Sequence, residues 1–339
     1  MPSIPLVQRE VQEWSNPKYN LADLDLGSNV GNIPSGSLGW LKPLPATASD
    51  DEIRQELDTK GVVHVKGVMS RDMVLDMRRT WFNYVSPSGV LKPDTDPTDG
   101  IFCGGNTDDF VGPDNAAYVN RSHKDCPHAD MAAKAHQEPW TDDFASNAQL
   151  REMVNRIMPE WKEPHIFRRQ LFRSNMPHAK GTSTGVHYDQ LFLRGGPPNA
   201  LTAWVPIGDC PPMSGGLMYL EDSKGLGEST EAQFDELSQR KGLSNEERLS
   251  AFNSNMKAQG MLSCDAGEYG ATEGGGRRWL IGDYEAGDAV FHHSYTIHAS
   301  GTNKDPEGRI RLSADLRFAD KNGPHEDRWS KAFNPGDGL

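Results

Sequence analysis

In Gly185-Val-His-Tyr-Asp189 a histidine and an aspartate stand two residues apart. Along an extended strand alternate side chains share a face, roughly 6–7 Å apart, so His187 and Asp189 point the same way and can close on one ion. A second imidazole has to arrive from another strand, and Phe291-His-His-Ser-Tyr-Thr-Ile-His298 supplies it, entered through a turn at Gly287-Asp288. Two His and one Asp make the facial triad of non-haem Fe(II) chemistry, which leaves positions open for a cosubstrate and O2. An HxD pair alone is more often a surface feature; the late His298, the Arg311-x-Ser313 that follows it and the turns between the strands lift it together. His292 and His293 are read as lying in the same strand as His298, with His292 on its face, and as structural. Cys126-Pro-His128 with His123 has no second pair at zinc-finger spacing and is read as loop.

Past His298, alternation in Arg309-Ile-Arg-Leu-Ser313 puts Arg309, Arg311 and Ser313 on one face. An arginine with a neighbouring hydroxyl in a dry pocket grips a distal carboxylate through paired hydrogen bonds, the requirement for holding 2-oxoglutarate. Between the metal segments, Leu201-Thr-Ala-Trp-Val-Pro-Ile207 and Leu217-Met-Tyr-Leu220 read as strands around a Pro-Pro turn and Ser214-Gly-Gly216. Thr202 and Trp204 share a face and are candidates to line the cosubstrate pocket, as is Gln170.

The elements that must position these groups follow from periodicity and punctuation. Asp50 and Asp51 open a helix that carries Ile53 and Leu57 on one face and ends at Gly61; Val62 to Val68 is a β-branched strand; Ser70 caps a helix with Val74, Met77, Trp81 and Tyr84 at helical spacing. Residues 1–48, with six prolines, read as an irregular surface arm. Residues 86–145, rich in Pro, Gly, Asn and Asp, read as a lid whose aromatics, Phe102, Phe110 or Tyr118, reach the substrate. Residues 226–258 read as a helical insertion. The whole of 1–339 is taken as one domain.

These residues together resemble the phytanoyl-CoA dioxygenase family of Fe(II)/2-oxoglutarate oxygenases. The resemblance rests on Gly61-Val-Val-His-Val-Lys-Gly-Val68, His187-Tyr-Asp189, Trp204, Gly215-Gly-Leu217, Gly287-Asp-Ala-Val-Phe291 and His298-Ala-Ser-Gly-Thr-Asn303. It implies an α+β, mainly β fold: a double-stranded β-helix (a cupin-like jelly roll) with helices packed on one sheet. It also implies that His187, Asp189 and His298 bind Fe(II). The family's cosubstrate arginine follows the distal histidine, and Arg309 and Arg311, eleven and thirteen residues past His298, both qualify. Arg311 is preferred because Ser313 completes an Arg-x-Ser pattern. Where the family usually has Gly-Ser-His after the hairpin, this chain reads Glu221-Asp-Ser223.

The chemistry expected is oxidation of a C–H bond with O2, 2-oxoglutarate leaving as succinate and CO2; hydroxylation is the default outcome. Asp189 stands where a halogenase needs a small residue, which argues against halogenation. Two rivals are a jelly-roll metal enzyme that ignores 2-oxoglutarate, with no need of Arg311, and a non-catalytic ligand-binding jelly roll, expected to lose a triad member.

Composition narrows the partners. With 35 Lys and Arg against 48 Asp and Glu, the net charge of -13 repels nucleic acid and anionic lipid. It also argues against a coenzyme A thioester, while the aromatic-bearing loop of residues 86–145 suits a hydrophobic small molecule, such as a natural-product intermediate. No apolar run approaches the roughly 18 residues of a membrane span. Four dispersed cysteines without a CxxC, and no signal pattern at the N-terminus, suggest a reducing cytoplasm. A monomer or homodimer is expected.

Overall fold

Helix α1 (Asp50–Lys60) starts where Ser49 and Glu52 cap each other: the Glu52 N–H donates to the Ser49 hydroxyl and the Ser49 N–H to the Glu52 carboxylate. It ends at Gly61, whose φ of 74° is the left-handed conformation that favours glycine. The computed structural model describes residues 14–112, 123–179, 182–250 and 260–334. Among these, the strands are a hairpin of β1 (Leu26–Gly27) and β2 (Asn32–Ile33), β3 (Leu38–Trp40), β4 (Pro43–Pro45), β5 (Val62–Lys66), β6 (Pro164–Ile166), β7 (Leu171–Asn175), β8 (Leu201–Pro206), β9 (Leu217–Leu220), β10 (Trp279–Ile281), β11 (Ala289–His293), β12 (His298–Ser300) and β13 (Arg311–Asp320). The further helices are α2 (Arg71–Val85), α3 (Asp108–Val111), α4 (Pro127–Ala135), α5 (Pro139–Ala145), α6 (Ala148–Ile157), α7 (Lys224–Arg240), α8 (Asn245–Leu249) and α9 (Ala266–Ala271). No helix among the described residues is long and apolar enough to cross a membrane.

A major sheet runs β4-β5-β11-β8-β13-β6, with β7 also on β13, and a minor sheet runs β12-β9-β10-β3. Most pairs are antiparallel; β4–β5 and β10–β3 are parallel. Alternation sorts the major sheet's side chains. Val63, Ala203, Phe291, Leu312 and Ala314 face outward and form one core with Ile53 of α1 and Val74, Trp81 and Phe82 of α2. Val62, Trp204 and Val290 face inward and meet Leu217, Tyr219 and Leu280 of the minor sheet. Each large side chain so buried contributes roughly 1.5–3 kcal/mol. The two sheets thus enclose an inner face while helices cover the outside of one of them, as a jelly roll with helices on one sheet requires.

Three expectations are corrected. The proline-rich stretch before residue 48 supplies an edge strand to each sheet, β3 beside β10 and β4 beside β5. Prolines 43 and 45 are tolerated in β4 because an edge strand needs only one row of ladder bonds. His292 and His298 do not share a strand: the chain leaves the major sheet after β11 and enters the minor sheet at β12. Residues 86–145 hold α3, α4 and α5, and Phe102 and Phe110 pack edge to face at 5.5 Å against the helix-side core, on the far side of the major sheet from its inner face. They are not part of a lid over the inner face, and Tyr118 lies outside the described residues. The described part of residues 226–258 carries two helices, α7 and α8, joined by a turn.

Candidate active site

The segment carrying the first two candidate ligands is extended only in part. Val186 bridges Ser263, and His187 bridges His298 through two backbone hydrogen bonds of 3.0 and 2.8 Å. A side chain at Gly185 would bring Cβ within 2.8 Å of the Ser263 carbonyl oxygen, so this close pairing needs glycine. Asp189 then opens a 3-10 turn, Asp189–Leu191, instead of continuing a strand. Its carboxylate still lies beside His187 because Tyr188, at φ -130° and ψ 150°, keeps the alternation one residue further. Tyr188 itself points away, into the core outside the minor sheet.

His298, opposite Tyr219 on β9, faces inward like His187, and the two imidazole rings are 4.2 Å apart. Each Nδ1 lies 2.9 Å from the carbonyl oxygen two residues before it, Gly185 for His187 and Thr296 for His298. A carbonyl only accepts, so the proton sits on Nδ1 and each Nε2 keeps its lone pair for a cation. Asp189 Oδ1 lies 3.9 Å from Nε2 of His187 and 3.8 Å from Nε2 of His298. One ligand atom from each of the three residues falls within 4.8 Å of the others. All three are buried, with 6%, 0% and 3% of their surface exposed. Burial pushes both histidines below their ordinary value, against the pull of Asp189, and so keeps them neutral. For Asp189 burial works upward but is outweighed by Arg317, His292 and His298, which hold the carboxyl well below its usual range. Two neutral imidazoles and one carboxylate are the donor set that Fe(II) takes.

Arg311 opens β13 on its inward face and is buried; its Nε donates to the Gly215 carbonyl at 3.1 Å and its Nη1 to Ser313 Oγ at 2.6 Å. Arg309 lies before the strand, its side chain 30% exposed and paired with Asp305 at 3.5 Å and with Glu307. Thr202 points inward and donates to Asp189 Oδ2. Trp204 is inward but sits in the inter-sheet core against Tyr284, rings 4.8 Å apart. Gln170 is not brought into this cluster: its side chain meets Asp142 of α5 at 3.4 Å.

Sequence reasoning missed Arg317, which forks onto Asp189 through Nε to Oδ2 at 3.2 Å and Nη2 to Oδ1 at 2.9 Å. The signal was available, since Arg317 stands an even number of residues from Arg311 and so shares its face. His292, read as structural, also reaches this carboxylate, Nε2 to Oδ2 at 3.3 Å. Two aromatic rings lie next to these groups: Phe192, 5.8 Å from the His187 ring, and the buried Trp329, 4.5 Å from the Arg317 guanidinium carbon.

The family described as Phytanoyl-CoA dioxygenase (PhyH) matches residues 57–311 of the chain. No curated protein matches it. Among solved structures, the non-heme alpha ketoglutarate dependent carbocyclase SnoK from nogalamycin biosynthesis shares the fold at TM-score 0.50 and 17% identity, covering 88% of this chain and 96% of its own. EctD from S. alaskensis, solved with 2-oxoglutarate and 5-hydroxyectoine, matches at TM-score 0.48 and 14% identity, over 82% of this chain and 79% of its own.

Proposed function

The chain belongs to the phytanoyl-CoA dioxygenase family of Fe(II)/2-oxoglutarate-dependent oxygenases, and on that premise we propose that it hydroxylates a hydrophobic small molecule, releasing succinate and CO2. The observation that carries the reading is the convergence of His187 Nε2, His298 Nε2 and Asp189 Oδ1 in a buried site on the same inner face as Arg311 and Ser313. His187, Asp189 and His298 hold the iron. Arg311 and Ser313, both buried, receive the distal carboxylate of 2-oxoglutarate. When bound, the metal and cosubstrate supply the activation of O2 and the oxidising equivalents for the C–H bond.

The protein's own tasks are geometric. The Nδ1 bonds to Gly185 and Thr296 orient both imidazoles, and the sheet fixes the span from the triad to Arg311. Burial keeps bulk water from the reacting centre. Phe192, beside the His187 ring, and not the aromatics of residues 86–112, is the apolar side chain that favours a hydrophobic substrate. A screen of hydrophobic natural-product intermediates with Fe(II), 2-oxoglutarate and O2, read by mass spectrometry, tests this reading. A product that has gained one oxygen atom, formed only with 2-oxoglutarate, supports it; turnover of a substrate in the absence of 2-oxoglutarate contradicts it.

A further inference from the structure

The two sheets divide the work at the triad. The minor sheet and its extension hold the imidazoles, while a row of three donors on the major sheet holds the carboxylate. In that row His292 of β11 is register partner to Thr202 of β8, and Thr202 is register partner to Arg317 of β13. All three are buried, and all three reach the same atom. Asp189 Oδ2 accepts from the Thr202 hydroxyl, from His292 Nε2 at 3.3 Å and from Arg317 Nε at 3.2 Å.

Oδ1 is treated differently. It lies 3.9 and 3.8 Å from Nε2 of His187 and His298, and among the described residues its donor is Arg317 Nη2 at 2.9 Å. The donors are themselves fixed. His292 Nε2 faces a carboxylate, which only accepts, so it carries the proton, and Nδ1 of the neutral ring then accepts from the Tyr219 hydroxyl at 3.3 Å. The Arg317 guanidinium lies over Trp329.

We propose that Thr202, His292 and Arg317 are positioning residues that set how Asp189 binds metal. With the lone pairs of Oδ2 committed to three donors, the carboxylate cannot turn to chelate through both oxygens, and it offers Oδ1 alone. One-oxygen ligation keeps the protein's share at three positions and leaves the rest for cosubstrate and O2. The inference rests on the reading of His187, Asp189 and His298 as a metal centre, and goes beyond it by assigning denticity to a row that touches no metal.

Titration of the metal-free protein with Co(II), followed by the absorption spectrum of the Co(II) protein, tests it without turnover. Thr202→Val, which is isosteric but lacks the donor, is expected to weaken Co(II) binding roughly 10–100-fold and to change the spectrum as Asp189 gains freedom to chelate. Arg317→Met is expected to do the same, and Thr202→Ser, which restores a hydroxyl, to return both readouts to the parent's. Parent-like affinity and spectrum in Thr202→Val overturn the proposal, and that variant decides even if Arg317→Met fails to fold. A parent protein that binds no Co(II), or a His298→Ala variant that binds it as tightly, would instead overturn the metal-centre reading itself.

Discussion

The hydroxyl of Tyr188 donates to the carboxylate of Glu231 at 2.6 Å, tying the residue between the two triad members His187 and Asp189 to helix α7 of the insertion. Glu231 is buried and also takes a fork from Arg194, Nε at 2.6 Å and Nη2 at 2.9 Å. Close packing accompanies the bond: a Cβ at Gly227 of α7 would stand 2.1 Å from the Tyr295 carbonyl oxygen.

That clamp predicts that Glu231→Ala destabilises the fold by about 3–5 kcal/mol, because it removes the buried carboxylate that the Arg194 fork and the Tyr188 hydroxyl share. Tyr188→Phe loses one hydrogen bond and is expected to cost about 1–3 kcal/mol. Urea denaturation measures both. Values near zero for both would mean that the insertion is not anchored through Glu231.

Arg311→Ala is predicted to raise the 2-oxoglutarate requirement by one to several orders of magnitude, since a buried charge-assisted contact is worth about 2–5 kcal/mol. Arg309→Ala should change it little, as Arg309 is spent on Asp305 and Glu307. A cosubstrate titration of the two variants ranks them, and the reverse order would transfer the anchor to Arg309.

Acid should destabilise the protein through His136. Its Nδ1 lies 2.9 Å from the Ala132 carbonyl and its Nε2 accepts the Phe172 N–H at 2.9 Å, so the ring is built to be neutral. Burial lowers it from 6.5 to about 4. The unfolded chain therefore takes up this proton first as pH falls. The contribution is complete above about 6.5 and is lost on the way down to about 4, on the order of 3 kcal/mol in full. Denaturation midpoints between pH 7 and 5 should fall less steeply in His136→Gln than in the parent; equal slopes would exclude His136 as a source.

How much was legible beforehand depended on whether the signal was local. The capped start of α1, its Gly61 stop and the apolar run of β5 are written in adjacent residues, and so were found. The triad was found because His-x-Asp and the late His298 need only alternation. What escaped required register. Nothing next to Arg317 says that it will lie opposite Thr202, and nothing in Phe291-His-His293 says that the chain changes sheet before His298. Proline misled in the N-terminal arm, where Pro43 and Pro45 border an edge strand, and polar composition misled in residues 86–112, where Phe102 and Phe110 are held by the helix-side core.

The central claim is that His187, Asp189 and His298 support 2-oxoglutarate oxidation, and carbon-labelled 2-oxoglutarate tests it most directly. Release of labelled succinate is measured with Fe(II), ascorbate and O2 for the parent and for Asp189→Ala. The account predicts succinate from the parent only when Fe(II) is supplied, and none above background from Asp189→Ala. Equal succinate from both proteins would contradict it.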